Sequence, residues 1–306
     1  MIDILGKRYL FFGISLVIII TGMVLLIVGG GLPFSIDFTG GSLLELRITE
    51  GSMPNTEDVV ALFEDYGVTD LQVKTSTDTL IIQSQYIPDD ERAVIIKGIN
   101  DEFSISTEVL SADSVGPAIG SEVASRAAQA VGVAALGVII YITFAFRGIA
   151  HATRFGVCAI VAMLHDVLIV VSVSAIGGTF LGWQFDSLTL TALLTVIGFS
   201  VQDKIVVFDR IRENTSIHRK ISFEKLANHS IVQTLGRSIN TQLMTSEFML
   251  LALALLGGVT LREFAIILLV GLLSGTYSSI FIAAPILVIW ENKEWETWFK
   301  KESAIA

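Results

Sequence analysis

Charge and cysteine are both scarce in this sequence. Only 16% of its 306 residues are Asp, Glu, Lys or Arg, whereas 52% are hydrophobic and the mean hydropathy is +0.70. A soluble domain of this size would carry more charge, so the composition favours a membrane protein. The single cysteine, Cys158, excludes an internal disulfide, and no group of cysteines and histidines has metal-ligand spacing. The sequence therefore predicts neither a metal site nor a redox centre.

Sequence motifs of catalysis are missing as well. The chain contains no nucleotide-binding glycine loop, no glycine-serine nucleophile motif and no His-Glu-x-x-His zinc motif. We therefore predict no enzymatic activity, no cofactor and no nucleic-acid partner.

Six apolar runs are long enough to cross a bilayer. A helix of about 20 apolar residues spans the hydrocarbon core, which is roughly 30 Å thick. The first run follows Lys7 and Arg8 and lacks a small-residue cleavage site, so we interpret it as an uncleaved signal anchor. The predicted spans cover residues 9–30, 124–146, 155–176, 188–208, 239–256 and 264–290.

The charges are distributed unevenly between the two sides of these spans. Residues 31–122 hold 17 of the 30 acidic residues and only 4 of the 20 basic ones. Short loops rich in lysine and arginine stay in the cytoplasm, and the remaining basic loops alternate as this rule requires. Both termini are therefore predicted to be cytoplasmic, with residues 31–122 outside. The loop and tail residues that carry this prediction are Lys7, Arg8, Arg147, Arg154, Arg210, Arg212, Arg219, Lys220, Lys225, Lys293, Lys300 and Lys301.

The acidic segment has the pattern of a small α+β domain. Strands are predicted at 42–48, 71–75, 80–86 and 105–110, with helices at 55–66 and from Pro88 to about Phe103. This βαββαβ order is typical of a ferredoxin-like sheet with two helices on one face. The predicted fold is thus an α-helical polytopic membrane protein with six transmembrane helices and one ferredoxin-like extracytoplasmic domain between spans one and two. The predicted divisions are 1–30, the outer domain 31–122, helices two to six in 123–290, and a cytoplasmic tail 291–306.

Several ionisable side chains lie inside or at the mouth of these apolar runs. A charge at the bilayer centre costs several kcal/mol unless it is paired or hydrated. Such residues either form ion pairs that fix helix packing or belong to a proton or ion path, and the pattern leaves both interpretations open. The residues are His165 and Asp166 in span three, Asp203 and Lys204 in span four, Arg237 at the start of span five, and Glu247 within it.

Depth along the helices suggests how these residues pair. Asp203 and Arg237 lie at about the same level, whereas a Lys204–Glu247 pair would have to bridge on the order of 15 Å at about 1.5 Å of rise per residue. An arginine keeps its proton, but a desolvated carboxylate can gain one. We therefore predict that Asp203 carries a proton, and that approach and withdrawal of Arg237 control its ionisation and move the outer domain.

Six stretches of the chain carry distinctive motifs: 37–45 (DFTGGSLLE), 115–122 (VGPAIGSE), 165–167 (HDV), 197–214 (IGFSVQDKIVVFDRIREN), 233–241 (QTLGRSINT) and 275–283 (GTYSSIFIA). They resemble the SecF subunits of the SecD/SecF family, within the resistance-nodulation-division superfamily. Together they cover nearly the whole chain and occur in the right topological places.

The resemblance implies a subunit of the Sec protein-export machinery in the prokaryotic inner membrane. It would work with SecD, use the proton motive force and assist late translocation of unfolded polypeptides through SecYEG. YajC is a further expected partner, and membrane lipid surrounds the spans. The implied proton relay is Asp203 with Arg237, and the proton is the implied coupling ion. His165, Asp166, Gln202, Lys204 and Glu247 would support it as intramembrane polar groups.

The sequence departs from the family pattern at three positions. Gln202 stands where Asn is usual, Lys204 where Thr or Ser is usual, and Glu247 where the residue is normally apolar or hydroxylic. Lys204 would hold Asp203 ionised if the two side chains met. Adjacent helical residues point about 100° apart, however, and a long lysine can instead reach the membrane interface.

Two glycines of the first motif have a structural and a functional interpretation. Gly40 and Gly41 permit a tight turn as the chain enters the first strand. They could equally form a hinge or a surface that contacts substrate.

The sequence leaves two other kinds of function open. One is a half-size exporter of lipids or small molecules from the same superfamily, which would work without SecD. The other is an intramembrane enzyme that uses Asp166 and Asp203 as paired acids.

Overall fold

The computed structural model describes residues 3–75, 78–147, 152–218, 220–242, 248–257 and 259–298. Two compact units are present. We call Pro33–Ala130 with Gln184–Ser187 the sheet unit, and Met1–Leu32 with Val131–Trp183 and Leu188–Ala306 the helical unit. In chain order the elements are α1 (Arg8–Val28), α2 (Ile36–Thr39), β1 (Gly41–Glu50), α3 (Thr56–Asp65), β2 (Gln72–Thr75), β3 (Thr79–Ser84), α4 (Asp89–Phe103), β4 (Ser106–Val115), α5 (Pro117–Ala145), α6 (Ala152–Leu181), α7 (Ser187–Ile217), α8 (Phe223–Gln242), α9 (Phe248–Leu256), α10 (Val259–Ser278), α11 (Ala284–Asn292) and α12 (Trp295–Trp298).

The sheet unit contains a four-stranded antiparallel sheet in the order β2-β3-β1-β4. Helices α3 and α4 lie in the chain between its strands, so the predicted strand–helix–strand–strand–helix–strand order is observed. Alternation along β3 buries Leu80 and Ile82, which pack with Leu46 of β1 and Phe63 of α3 in the hydrophobic core. Strand β4 runs five residues beyond its predicted end at 110, because its pairing with β1 continues to the Gly41–Val115 partners.

Local sequence explains where the first helix of this unit starts. The side chain of Asn55 caps α3 by accepting the backbone N–H of Glu57 at 3.4 Å. Two acidic residues, Glu57 and Asp58, follow in the first turn, where the helix dipole favours negative charge. The predicted helix is confirmed.

Five helices among the described residues are long and apolar enough to cross a membrane. They match the predicted runs one, two, three, four and six, although most extend beyond the apolar run into polar sequence. Their bounds are Leu5–Val28, Pro117–Ala145, Ala152–Leu181, Ser187–Ile217 and Leu261–Asn292.

Two helices, α8 and α9, cover the described parts of the predicted fifth span at 239–256. Its first residues belong to α8, which already begins at Phe223 in polar sequence, and its last residues form the apolar helix α9. Between these helices, residues 243–247 lie outside the described part of the chain. This run is therefore not among the five candidate spans.

Small residues allow close helix packing in the helical unit. A Cβ atom on Gly22 of α1 would lie 2.2 Å from Cβ of Ser172 on α6, and one on Gly271 of α10 would lie 2.2 Å from Cγ2 of Val196 on α7. These pairs can only exist because glycine has no side chain. Helix α1 thus packs closely against α6, and α10 packs closely against α7.

The last candidate span changes its winding near its middle. A π-helical turn at Ser279–Ala283 separates α10 from α11. Pro285 lies two residues after this turn and offers no N–H to the carbonyl of Phe281, so the regular α-helical bonding is interrupted here. Such wide turns often accompany functional sites.

Candidate functional site: a buried ion pair between three helices

A carboxylate and an ammonium group are buried together inside the helical unit. Asp166 of α6 is 1% exposed and Lys204 of α7 is 0% exposed. The Nζ atom of Lys204 donates to Oδ2 of Asp166 at 2.7 Å. Desolvating two charges is expensive, so such a pair persists only when further hydrogen bonds satisfy its remaining polar atoms.

Hydroxyl groups surround the carboxylate of Asp166 on both oxygens. Its Oδ2 accepts from Ser200 Oγ at 2.5 Å and from Ser278 Oγ at 2.7 Å, in addition to Lys204. Its Oδ1 accepts from Ser274 Oγ at 2.8 Å and from Nδ1 of His165 at 3.0 Å. The carboxylate therefore has five donors, which compensate for its removal from water.

Lys204 has two further oxygen partners besides the carboxylate. Its ammonium group donates to the backbone oxygen of Ser200 at 3.1 Å and also contacts the Ser200 hydroxyl. The side chain is thus directed into the helix bundle. The side chain therefore does not reach the membrane interface, and its carboxylate partner is Asp166 rather than Asp203.

Helical spacing and glycine explain how these groups converge. Ser200 and Lys204 are four residues apart on α7, and Ser274 and Ser278 are four residues apart on α10, so each pair shares one helix face. Between the two serines of α10, Gly275 allows close packing: a Cβ there would be 3.2 Å from Cα of Ser200. This approach brings the serine hydroxyls of α10 within reach of Asp166.

Asp203 lies beside this cluster but is bonded differently. The residue is 9% exposed, and its Oδ2 accepts from Thr276 Oγ1 of α10 at 2.9 Å. Within the described ranges, no lysine or arginine nitrogen lies within 4.0 Å of its carboxylate. Asp203 is thus a largely buried acid that is held by a neutral hydroxyl.

Arg237 of α8 is not brought into an ion pair with Asp203 in this conformation. It lines a cavity of about 350 Å³ together with Asp209, Arg210 and Glu213 of α7 and Gln233 of α8. Opposite charges are therefore mixed around the cavity. The predicted exchange between Arg237 and Asp203 stays a prediction.

Two other predicted site residues have separate positions. Gln202 lines a cavity of about 570 Å³ between α5 and α7, opposite Tyr141 and Gly137. Glu247 lies outside the described residues, so its predicted supporting role has no structural counterpart here.

His165 has one ring nitrogen on the ion pair and one without a hydrogen bond. Because the Asp166 carboxylate can only accept, Nδ1 of His165 is the donor. Its Nε2 is buried and has no hydrogen-bond partner among the residues that the structure describes. The ring stacks on Tyr277 of α10, with ring centroids 6.2 Å apart and an interplanar angle of 22°.

The glycine pair of the first motif belongs to the sheet unit. Gly40 and Gly41 have φ angles of 75° and 132°, which L-residues with side chains rarely adopt. A Cβ on Gly40 would be 2.7 Å from Cα of Pro117, and one on Gly41 would be 2.5 Å from the backbone oxygen of Ser84. A Cβ on Gly120 would in turn meet the Gly40 nitrogen at 2.5 Å, so the predicted tight turn is confirmed and the stretches 37–45 and 115–122 meet there.

The loop between α6 and α7 takes part in the sheet unit, which the sequence did not indicate. The backbone N–H of Ser35 donates to the oxygen of Phe185 at 3.1 Å, and that of Phe185 donates to the oxygen of Pro33 at 2.8 Å. The N–H of Ser187 donates to Oδ2 of Asp37 at 2.9 Å. The acid of the first motif therefore caps the start of α7.

Sequence reasoning also missed the hydroxyl groups of the buried cluster. Ser200, Ser274, Ser278 and Thr276 lie within or beside the stretches singled out above, but no role was predicted for them. The four-residue spacings of Ser274 with Ser278 and of Ser200 with Lys204 are the signal that would have found the three serines. Serine is common enough in membrane helices that the signal is weak without a charged residue in reach.

Comparisons with known protein families agree on one kind of protein. The family model described as "Protein export membrane protein SecD/SecF, C-terminal" matches residues 95–293, and the "SecD/SecF GG Motif" model matches residues 25–50. A protein translocase subunit SecF from Anaerolinea thermophila is 64% identical over 302 residues, which cover 98% of each chain. A protein translocase subunit SecDF from Thermus thermophilus is 37% identical over 86% of this chain and 35% of its own length.

A solved structure has the same fold over nearly the whole chain. The crystal structure of SecDF from Thermus thermophilus, described as a translocon-associated membrane protein, superposes with a TM-score of 0.82 at 33% identity. The match covers 95% of this chain and 39% of that one. This chain therefore corresponds to about two fifths of the single-chain SecDF protein.

Proposed function

Because this chain belongs to the SecD/SecF family and is a membrane subunit of the Sec protein-export machinery, we propose that it uses the proton motive force for export. It does so together with SecD and assists late translocation of unfolded polypeptides through SecYEG. Its role is to move a proton and change conformation, without hydrolytic chemistry and without a cofactor.

The observation that supports a proton as the coupling ion is the different bonding of the two buried aspartates. Asp166 is held by an ammonium group and four further donors, which favours a permanently ionised carboxylate. Asp203 has a neutral hydroxyl at 2.9 Å instead and no ion pair within the described ranges. A largely buried carboxylate without a paired cation is the group that can gain and lose a proton.

Arg237 is the proposed partner that controls this proton. It lies in the cavity with Asp209 and Glu213, from which its charge can act on Asp203 or be withdrawn as α7 and α8 move. An arginine that approaches Asp203 would favour the ionised form and release the proton. Export would then follow from a conformational change that protonation biases.

We propose the architecture that the sequence predicts, with six spans and one outer domain. The run at 239–256 would form a sixth span, and the antiparallel sheet with α3 and α4 would be a ferredoxin-like domain on the outer side. The order β2-β3-β1-β4 supports that classification. We place both termini in the cytoplasm and the protein in the inner membrane, as the positions of the basic loops suggest.

SecD is the proposed direct partner. Two relatives named SecDF, from Thermus thermophilus and Bacillus subtilis, are matched over only 35% and 39% of their lengths, so the remainder of those chains is available for a SecD portion. Helix α5 exposes the apolar side chains Val133, Leu136, Ile140 and Phe144, which suit a partner helix or lipid. YajC and SecYEG are the other proposed partner proteins.

Replacing Asp203 by Asn tests the proton proposal. The variant keeps a hydrogen-bond acceptor for Thr276 but cannot be ionised. In inverted membrane vesicles that contain SecD and SecYEG, it should reduce both export driven by the proton motive force and proton conductance at least tenfold. Asp101→Asn, at an exposed position in α4, is the matched control. Unchanged export and conductance in the Asp203 variant would rule out the relay.

The exporter alternative is less well supported. Similarity to a SecF subunit extends over 98% of both chains, which favours export of polypeptides over that of lipids. The paired-acid enzyme is also disfavoured, because the donors around Asp166 leave its carboxylate engaged rather than free to share a proton with Asp203.

A further inference from the structure

The ammonium group of Lys204 occupies a position that has the chemistry of a metal-cation site. Around Nζ lie a carboxylate oxygen of Asp166, the backbone oxygen of Ser200 and the Ser200 hydroxyl. Carboxylate, carbonyl and hydroxyl oxygens are the ligands that hard cations take in proteins. What fills this site is a cation that is covalently attached to α7.

The charge balance of the site limits which free cation could replace the ammonium. Asp166 contributes one negative charge, and the serine oxygens contribute none. A monovalent cation would therefore neutralise the site, whereas a divalent one would leave an uncompensated positive charge in a buried position.

The site is also already shaped around the cation. Ser278 and Ser274 of α10 donate to the two carboxylate oxygens, at 2.7 Å and 2.8 Å. Their hydroxyls hold the carboxylate in place independently of Lys204. Removing the lysine side chain would consequently leave an oxygen-lined cavity with a net charge of −1.

We propose that Lys204 is a specificity-determining residue that fills an oxygen-lined monovalent-cation site and so keeps Na⁺ and similar ions out of the coupling mechanism. With this site closed, the proton at Asp203 is the only ion left to couple. This proposal deepens the proposed function and rests on it for its meaning, but its test does not require export.

The test uses the purified full-length protein in lipid nanodiscs. Thermal unfolding of wild type, Lys204→Ser and Lys204→Met is compared at equal ionic strength in NaCl, KCl and N-methyl-D-glucamine chloride. The Ser variant opens the cavity, whereas the Met variant removes the charge but fills the space of the side-chain stem. The double variant Asp166→Asn/Lys204→Ser removes the negative charge that would attract an ion.

Only the Lys204→Ser variant should depend on the cation. Its Tm should rise by about 5 °C when Na⁺ or K⁺ at a saturating concentration replaces the bulky organic cation, because a ligand that binds only the folded state stabilises it. Wild type, Lys204→Met and the double variant should change by less than about 1 °C.

Two results would overturn the proposal. One is a Tm of Lys204→Ser that is the same in all three salts. The other is a Lys204→Ser protein that fails to fold in every salt while the double variant folds, because no free cation would then have replaced the ammonium. A failure of the proton proposal is separate, since it would appear only in the export and conductance of Asp203→Asn.

Discussion

Replacing Lys204 by Met leaves the Asp166 carboxylate buried without its cation. The serine hydroxyls and His165 still donate to it, so part of the stabilisation remains. Removing one partner of a buried ion pair costs about 3 to 5 kcal/mol. With those four donors retained, we expect a loss near the lower end, about 3 kcal/mol in the free energy of unfolding.

The reverse replacement, Asp166→Asn, should cost more. It leaves the fully buried ammonium of Lys204 with only two oxygen atoms of Ser200 and an amide, so we expect about 4 kcal/mol. The double variant Asp166→Asn/Lys204→Met contains neither charge. It should therefore lose only about 2 kcal/mol rather than the about 7 kcal/mol of two additive effects.

A double-mutant cycle on the purified full-length protein measures this coupling. Reversible unfolding in mixed detergent micelles gives the free energy of each variant, and Lys97→Met, at an exposed position in α4, serves as the control for loss of a lysine. The reasoning is refuted if the two single losses add up to the loss of the double variant within about 0.5 kcal/mol, because Asp166 and Lys204 would then not be each other's main partner.

Three further predictions concern other parts of the fold. Burial and the charge of Asp113 raise the pKa of Glu45, so its proton is bound more tightly in the folded state. The free energy of unfolding is therefore highest at low pH and falls as the pH rises through the pKa of the folded state. Glu45→Gln should therefore lose this pH dependence, and hydrogen exchange of β1, corrected for the intrinsic rate, measures it. Gly40→Ala forces a side chain into a positive φ angle against the start of α5 and should cost about 2 kcal/mol in thermal unfolding. Gly22→Ala places a methyl 2.2 Å from Cβ of Ser172 and should cost about 2 kcal/mol in the same assay.

Each of the two glycine predictions has a matched control in the chain. Gly67 also has a positive φ, of 78°, but a Cβ there meets nothing within 4 Å, so Gly67→Ala reports the backbone strain alone. Gly13 lies on the same helix as Gly22 and also has open space around it, so Gly13→Ala should have little effect. Equal losses in the Gly22 and Gly13 variants would contradict the packing of α1 on α6. A Glu45→Gln protein that keeps the wild-type pH dependence would contradict the assignment to Glu45.

Much of the fold could be predicted from local sequence. Long apolar runs indicated the five candidate spans because the length of a membrane helix is set by the thickness of the bilayer. In the sheet unit, the strand pattern at 80–86 and the helical pattern at 55–66 placed β3 and α3 within a few residues. The region of α8 and α9 was harder, because α8 begins at Phe223 in sequence that is too polar for a membrane span and continues to Gln242, inside the apolar run.

The candidate site was only partly predictable. A charged residue inside an apolar run can be recognised directly in the sequence, so Asp166, Asp203 and Lys204 could be singled out from the sequence alone. Their partners could not, because a lysine side chain reaches several neighbours and the helix rotation decides which one. Asp203 and Glu247 are the nearest acids that the sequence pattern offers Lys204 within spans four and five, whereas its carboxylate partner in the structure is Asp166, 38 positions earlier.

The sequence by itself determined that this chain is a membrane protein, which residues are charged inside it, and that Gly40 and Gly41 mark a tight turn. These properties follow from the length of apolar runs and from the local conformational freedom of each residue. Only the tertiary structure decided that Lys204 neutralises Asp166 and leaves Asp203 with a neutral hydroxyl. The physical reason is that Gly275 lets α10 approach α7 closely enough for its serines to reach the carboxylate, and such a distance depends on three helices at once.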